Sequence, residues 1–144
     1  FACQLDWAKE ASLPIVIHCR AAFDDCVEMI DESRVDWERV VFHCFTEGPA
    51  EIERLLERGG RASFTGIITY GNAENVRRAA LAQGMGCLML ETDSPYLSPE
   101  PVRGQPNEPA NLRHVALFCA ALFNTDLESL SCRTTANAKA FYGL

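Results

Sequence analysis

His18, His43 and the acidic pair of Glu91-Thr92-Asp93 each close a short apolar run: Ile15-Val16-Ile17, Val40-Val41-Phe42 and Leu88-Met89-Leu90. Imidazole and carboxylate side chains together suit Zn²⁺, Mn²⁺ or Mg²⁺. A cation so held lowers the pKa of its bound water toward ~7 and polarises a carbonyl or phosphoryl oxygen under attack. His18, His43 and Asp93 are therefore candidate metal ligands. Glu91, two residues before Asp93, is a candidate catalytic carboxylate that orients or deprotonates the water. The same Glu91 could instead support a ligand histidine through a hydrogen bond. A single histidine at a strand end is more often structural than metal-binding. Two histidines and an aspartate at equivalent points of a repeating pattern are harder to explain that way.

The elements that must place these groups follow from spacing. A fourth run, Arg61 to Thr65, ends at Gly66, and the runs begin roughly 25 residues apart, the length of one strand plus one returning helix. Apolar residues on both faces of each run indicate parallel strands covered by helices. Alternation puts His18 with Val16, His43 with Val41, and Met89 with Glu91 and Asp93 on shared sides. Helices are expected over Phe1–Ser12, Ala22–Ser33, a segment opened by Gly48-Pro49, a segment capped by Asn72 and running to Gln83, and Ala110–Phe123. Thr125-Asp-Leu-Glu128 reads as a capping box for a short helix, with a separate last helix from Thr135 to Tyr142. Ser94 to Pro109 holds five of the seven prolines, which marks a long, stiff loop directly after a candidate ligand. The fold class is α/β. Four strand–helix units in 144 residues amount to half of a (β/α)₈ barrel, which takes eight strands and typically ~250 residues.

Composition removes several classes. No apolar stretch approaches the ~20 residues of a membrane span. A net charge of −7 argues against a broad basic nucleic-acid groove, though not against an enzyme that grips a few phosphates beside a cation. Seven cysteines without a CxxC pair signal neither a disulfide framework nor a zinc knuckle, and reduced thiols in a cytoplasmic protein are expected. Cys19 and Cys44 follow the two histidines directly, so alternation turns them away from a shared ion. The absence of an initiator Met before Phe1 suggests that residues once preceded it. Asp24-Asp25 reads as a solvated first helical turn, Trp7 and Trp37 as packing residues, and His114 as a surface or interhelical residue.

Leu13–Arg20 (LPIVIHCR), Phe42–Thr46 (FHCFT), Leu90–Leu97 (LETDSPYL), Arg103-Gly104 with Asn107–Pro109, and Thr135–Ala138 (TANA) resemble the TatD-type metal-dependent deoxyribonucleases. The resemblance runs in order along essentially the whole chain. It implies a TIM barrel with a one- or two-metal centre that hydrolyses phosphodiesters, often from a 3′ end of DNA. It also implies that His18, His43 and Asp93 are metal ligands. The family's opening His-x-His motif and its mid-chain bridging glutamate have no counterpart here, so the chain corresponds to the carboxyl-terminal half.

For substrate, Arg20 and Arg103 could grip phosphate as bidentate donors, and Phe45 and Tyr96 could stack a terminal base. Asn107 and Glu108 read as residues that tie the loop down. A related barrel hydrolase acting on amides, lactones or phosphotriesters would use the same ligand types. A non-catalytic interaction fragment is the remaining reading. It rests on the expectation that about two inward apolar side chains per strand face water, at ~2 kcal/mol each. Open edges on the outer strands then favour self-association.

Overall fold

In the computed structural model, which describes residues 1–144, four parallel strands form one sheet in the order β1-β2-β3-β4. The strands are β1 (Ile15–His18), β2 (Val40–His43), β3 (Arg61–Phe64) and β4 (Met89–Leu90). The helices are α1 (Ala2–Ala11), α2 (Phe23–Ser33), α3 (Pro49–Leu56), α4 (Glu74–Gln83), α5 (Leu112–Leu122) and α6 (Leu127–Tyr142). Each strand is followed by a helix before its neighbour begins. None of the helices is by itself long and apolar enough to cross a membrane.

Local sequence explains most of these boundaries. In α2, Phe23, Val27 and Ile30 recur at helical spacing and are buried, while Asp24 and Asp25 favour the positive end of the helix dipole. In α3, Pro49 occupies the first turn, and the Glu51 carboxylate accepts the Gly48 N–H at 3.0 Å. The expected Asn72 cap is displaced: α4 starts after Ala73, which offers no capping side chain. The two short terminal helices are instead one. Asp126, rather than Thr125, caps α6 by accepting from the N–H and hydroxyl of Ser129 at 2.8 and 2.6 Å. No Gly or Pro interrupts the residues that follow. Leu130, Asn137 and Phe141 lie along one buried stripe through the supposed gap.

The two sides of the sheet differ. Ile17, Val40, Phe42, Ala62, Phe64 and Leu88 point toward the helices and belong to a buried cluster of 23 residues. Val16, Val41, Ser63 and Met89 occupy the other face, by strand alternation. There, Val41 and Met89 pack beneath Phe141 from the end of α6, and Arg61 lies over the Phe141 ring at 5.3 Å. This corrects the expectation of a broadly uncovered inner face, because α6 folds across it. Val16, on the outer strand β1, remains 50% exposed.

Buried amides complete the frame where strand pairing is short. Gln83 accepts the Ala62 N–H at 2.7 Å and donates to the Ala62 and Cys87 carbonyls, acting as a substitute strand partner. Asn137 donates to Met85 and Leu88 carbonyls, both at 2.9 Å, and anchors α6 at the start of β4. The proline-rich loop closes over the end of β3. Gly66 permits this, since a Cβ there would collide with the Leu97 carbonyl and the Pro99 backbone. Asn107 ties the loop down by donating to the Thr92 and Tyr96 carbonyls at 2.8 and 2.7 Å.

Candidate metal centre

Parallel pairing of β1 and β2 places His18 directly beside His43. The His18 Nδ1 and His43 Nε2 atoms are 3.0 Å apart, and the other ring nitrogen of His43 lies 3.2 Å from Glu91 Oε2. A carboxylate can only accept here, so His43 donates from Nδ1 and its Nε2 carries the lone pair. His18 must then donate from Nδ1 to that lone pair. Glu91 is held in turn: its Oε1 accepts the Cys44 N–H at 2.7 Å and the Ser63 hydroxyl. Glu91 thus orients an imidazole through Oε2 while its Oε1 is fixed by the strand end and Ser63. That is the carboxylate–histidine arrangement which fixes the tautomer of metal-binding imidazoles.

Backbone geometry at the rim contributes. Cys44 and Asp93 adopt left-handed conformations with φ of 48° and 53°. For non-glycine residues such conformations cost about 1–3 kcal/mol and cluster at functional sites. At Cys44 the turn accompanies the N–H donation to Glu91. Burial pushes the Cys44 thiol above its ordinary range, and Glu91 and Asp93 reinforce this.

His18, Arg20, His43, Asp93 and Tyr96 line one cleft of about 480 Å³. The two imidazoles converge. Asp93 shares the cleft, but no three His, Cys, Asp or Glu side chains are gathered around a common point. The expected His18–His43–Asp93 cluster is thus not assembled as the side chains stand. Asp93 lies beyond the end of β4, two strands away from β2, whereas Glu91 reaches back to His43. The donor set fits a divalent cation in kind and falls short in number, since a protein site commonly supplies at least three ligands. For both imidazoles to ligate one ion, the hydrogen bond between them has to give way.

The remaining candidates separate. Arg20 is exposed at the rim and Tyr96 is 68% exposed, so both are free to meet a ligand. Arg103 lies outside the cleft lining, stacked 4.0 Å over Tyr70 and 3.6 Å from Glu100. Phe45 is buried, with its ring edge-on to Phe23 and Phe64, and has no face for a base. His114 is half-buried on α5, away from the cleft lining. Ser63 was not among the sequence candidates. Its one signal is parity: a small polar residue on the inner side of β3, between the strands that carry His43 and Glu91. A second cleft of about 330 Å³ is walled by Asp24, Asp25, Glu47 and Glu51, with Arg54 tied to Asp24, and would repel phosphate.

Comparison with known proteins now decides the lineage. The model of the family described as TatD related DNase matches residues 1–143. The chain belongs to the TatD family. It is 41% identical to an uncharacterized metal-dependent hydrolase, YcfH, of Escherichia coli K12, over 93% of this chain and 51% of that protein. It is 34% identical to the 3′-5′ ssDNA/RNA exonuclease TatD of Erwinia amylovora, over 100% of this chain and 58% of that protein. The crystal structure of the TatD homologue YJJV from Escherichia coli superposes with a TM-score of 0.89 at 25% identity, over 98% of this chain and 54% of that one. The chain spans about half the length of the curated relatives it matches.

Proposed function

We propose that this TatD-family chain is the carboxyl-terminal half of a (β/α)₈ barrel whose complete form hydrolyses phosphodiester bonds of DNA with one or two divalent metal ions. The observation that carries the reading is the His18–His43–Glu91 array at the ends of the parallel strands β1, β2 and β4, opening into the cleft that also holds Arg20, Asp93 and Tyr96. A cation bound there would supply hydroxide at neutral pH. His18 and His43 would hold it, with Asp93 as the carboxylate that lines their cleft and other donors from outside this chain. Glu91 keeps His43 in the tautomer that presents Nε2. Arg20 is suited to a terminal phosphate and Tyr96 to stacking on a base, so the pair would set a nucleotide end across the cleft. The relative from Erwinia amylovora, named as an exonuclease of single-stranded DNA and RNA, supports a nucleic-acid substrate.

The test is hydrolysis of single-stranded DNA by this chain, alone and joined to the upstream half of a relative. Mononucleotide release from the 3′ end, abolished by chelator and by His43→Ala, supports the reading. Turnover confined to lactones or cyclic amides contradicts it.

A second reading, a non-catalytic piece that acts by association, draws support from the incomplete ligand set and the apolar residues near β1. Val16, Leu13 and Trp7 are exposed by 50%, 57% and 67%. On this view β1 and β4, each unpaired on one side, take up another chain. Sedimentation of this chain as a stable monomer would contradict the association reading.

A further inference from the structure

The contact between Glu91 and His43 spans β3, because their strands are not neighbours in the sheet. Ser63 lies on β3 directly beneath that span. It pairs in register with Met89, two residues before Glu91, and is 5% exposed. Its hydroxyl donates to Glu91 Oε1, the oxygen that also takes the Cys44 N–H. Its backbone is held independently, since the Ser63 carbonyl accepts the Phe45 N–H at 3.0 Å. The Glu91 backbone is pinned on its own account by donation to the Phe64 carbonyl at 3.0 Å.

We infer that Ser63 is a positioning residue: its small side chain leaves room for Glu91 to cross β3, and its hydroxyl fixes the carboxylate so that His43 keeps its proton on Nδ1. Two physical requirements meet at one position. A larger apolar side chain would fill the space the carboxylate uses. A side chain without a donor would leave Oε1 with one hydrogen bond fewer, and Oε2 freer to swing from the imidazole. The functional meaning rests on His43 being a metal ligand; the effect on the imidazole does not.

The test uses the metal-free chain with ¹⁵N-labelled histidine at a pH above the imidazole range of about 6.5. The three histidines are assigned by single replacements. In the wild type, His43 should show its proton on Nδ1 alone. Ser63→Ala should give a mixture of both tautomers, and Ser63→Val a larger share of the second. Ser63→Thr, which has the shape of valine and keeps the hydroxyl, should fall closer to wild type than Ser63→Val does. Wild-type signals at His43 in both the alanine and valine variants would overturn the inference, as would identical behaviour of threonine and valine. Zn²⁺ affinity should also fall about tenfold in Ser63→Ala, the lower end of what disturbing the hydrogen bonding behind a ligand histidine costs. If the wild type binds no Zn²⁺ while the tautomer pattern holds, the metal reading fails and the role of Ser63 stands.

Discussion

On the helix-facing side of the sheet, Ile17, Phe42 and Phe64 are at most 3% exposed and belong to the main apolar core. On the opposite side Val16 is half exposed, the apolar cluster has three buried members, and the rim is a hydrogen-bonded set of Ser63, Glu91, His43 and His18. Consecutive residues of the same strands serve both sides, so stability and chemistry are separated by the alternation of side chains rather than by segments of chain. Ile17 packs and His18 presents a nitrogen; Phe42 packs and His43 does the same. Substitutions on one face should therefore leave the other's property largely intact.

Phe64→Ala tests the packing side most severely. Removing a fully buried ring should cost about 3–5 kcal/mol in urea unfolding while leaving the zinc affinity of the folded fraction unchanged. A parallel loss of affinity would dissolve the distinction between the faces. Glu91→Ala attacks the other side. It strands the Cys44 N–H, the Ser63 hydroxyl and His43 Nδ1 at a partly solvated position, so a loss of about 1–3 kcal/mol is expected. The diagnostic effect is a ten- to hundredfold drop in metal affinity, read by calorimetry. His18→Ala should change stability by less than about 0.5 kcal/mol, because the side chain is exposed, yet should abolish metal uptake.

A smaller effect lies behind the helices. Arg58 donates twice to Asp31 and, with Trp37, holds its carboxyl below the usual range. A depressed carboxylate stabilises the fold fully above its unfolded value of about 3.9, and the contribution disappears as pH falls through the lower folded value. Exposure limits it to under about 1 kcal/mol. Asp31→Asn should flatten the acid limb of the unfolding curve by that amount and leave the cleft untouched.

How much of this could be read from the residues depends on the range of the contacts. Strands ending at His18 and His43 were legible because β-branched and aromatic runs stop at a polar side chain once per unit, and parallel register then sets the two rings side by side. Helices α2 and α3 were legible from apolar spacing and first-turn residues. Periodicity carries no record of a side chain that reaches across the fold. Gln83 and Asn137 bond to backbone 21 and 49 residues away, and Ser63 to a carboxylate 28 away. Phe141 covers the inner face only because α6 continues through residues whose short side chains gave no sign of continuity. Glu91 had two chemical roles open to it, and nothing in the residue pattern records which neighbours its two oxygens meet. Phe45 illustrates the reverse: an aromatic beside a ligand looks like a stacking platform until the ring is seen between Phe23 and Phe64.

The most direct measurement is a Zn²⁺ titration of the chain followed through the ring nitrogens of its three histidines. Binding at the inner rim should move His18 and His43 together, with a common midpoint, and leave His114 unchanged. Independent midpoints for His18 and His43, or a response at His114 alone, would contradict the two-imidazole centre.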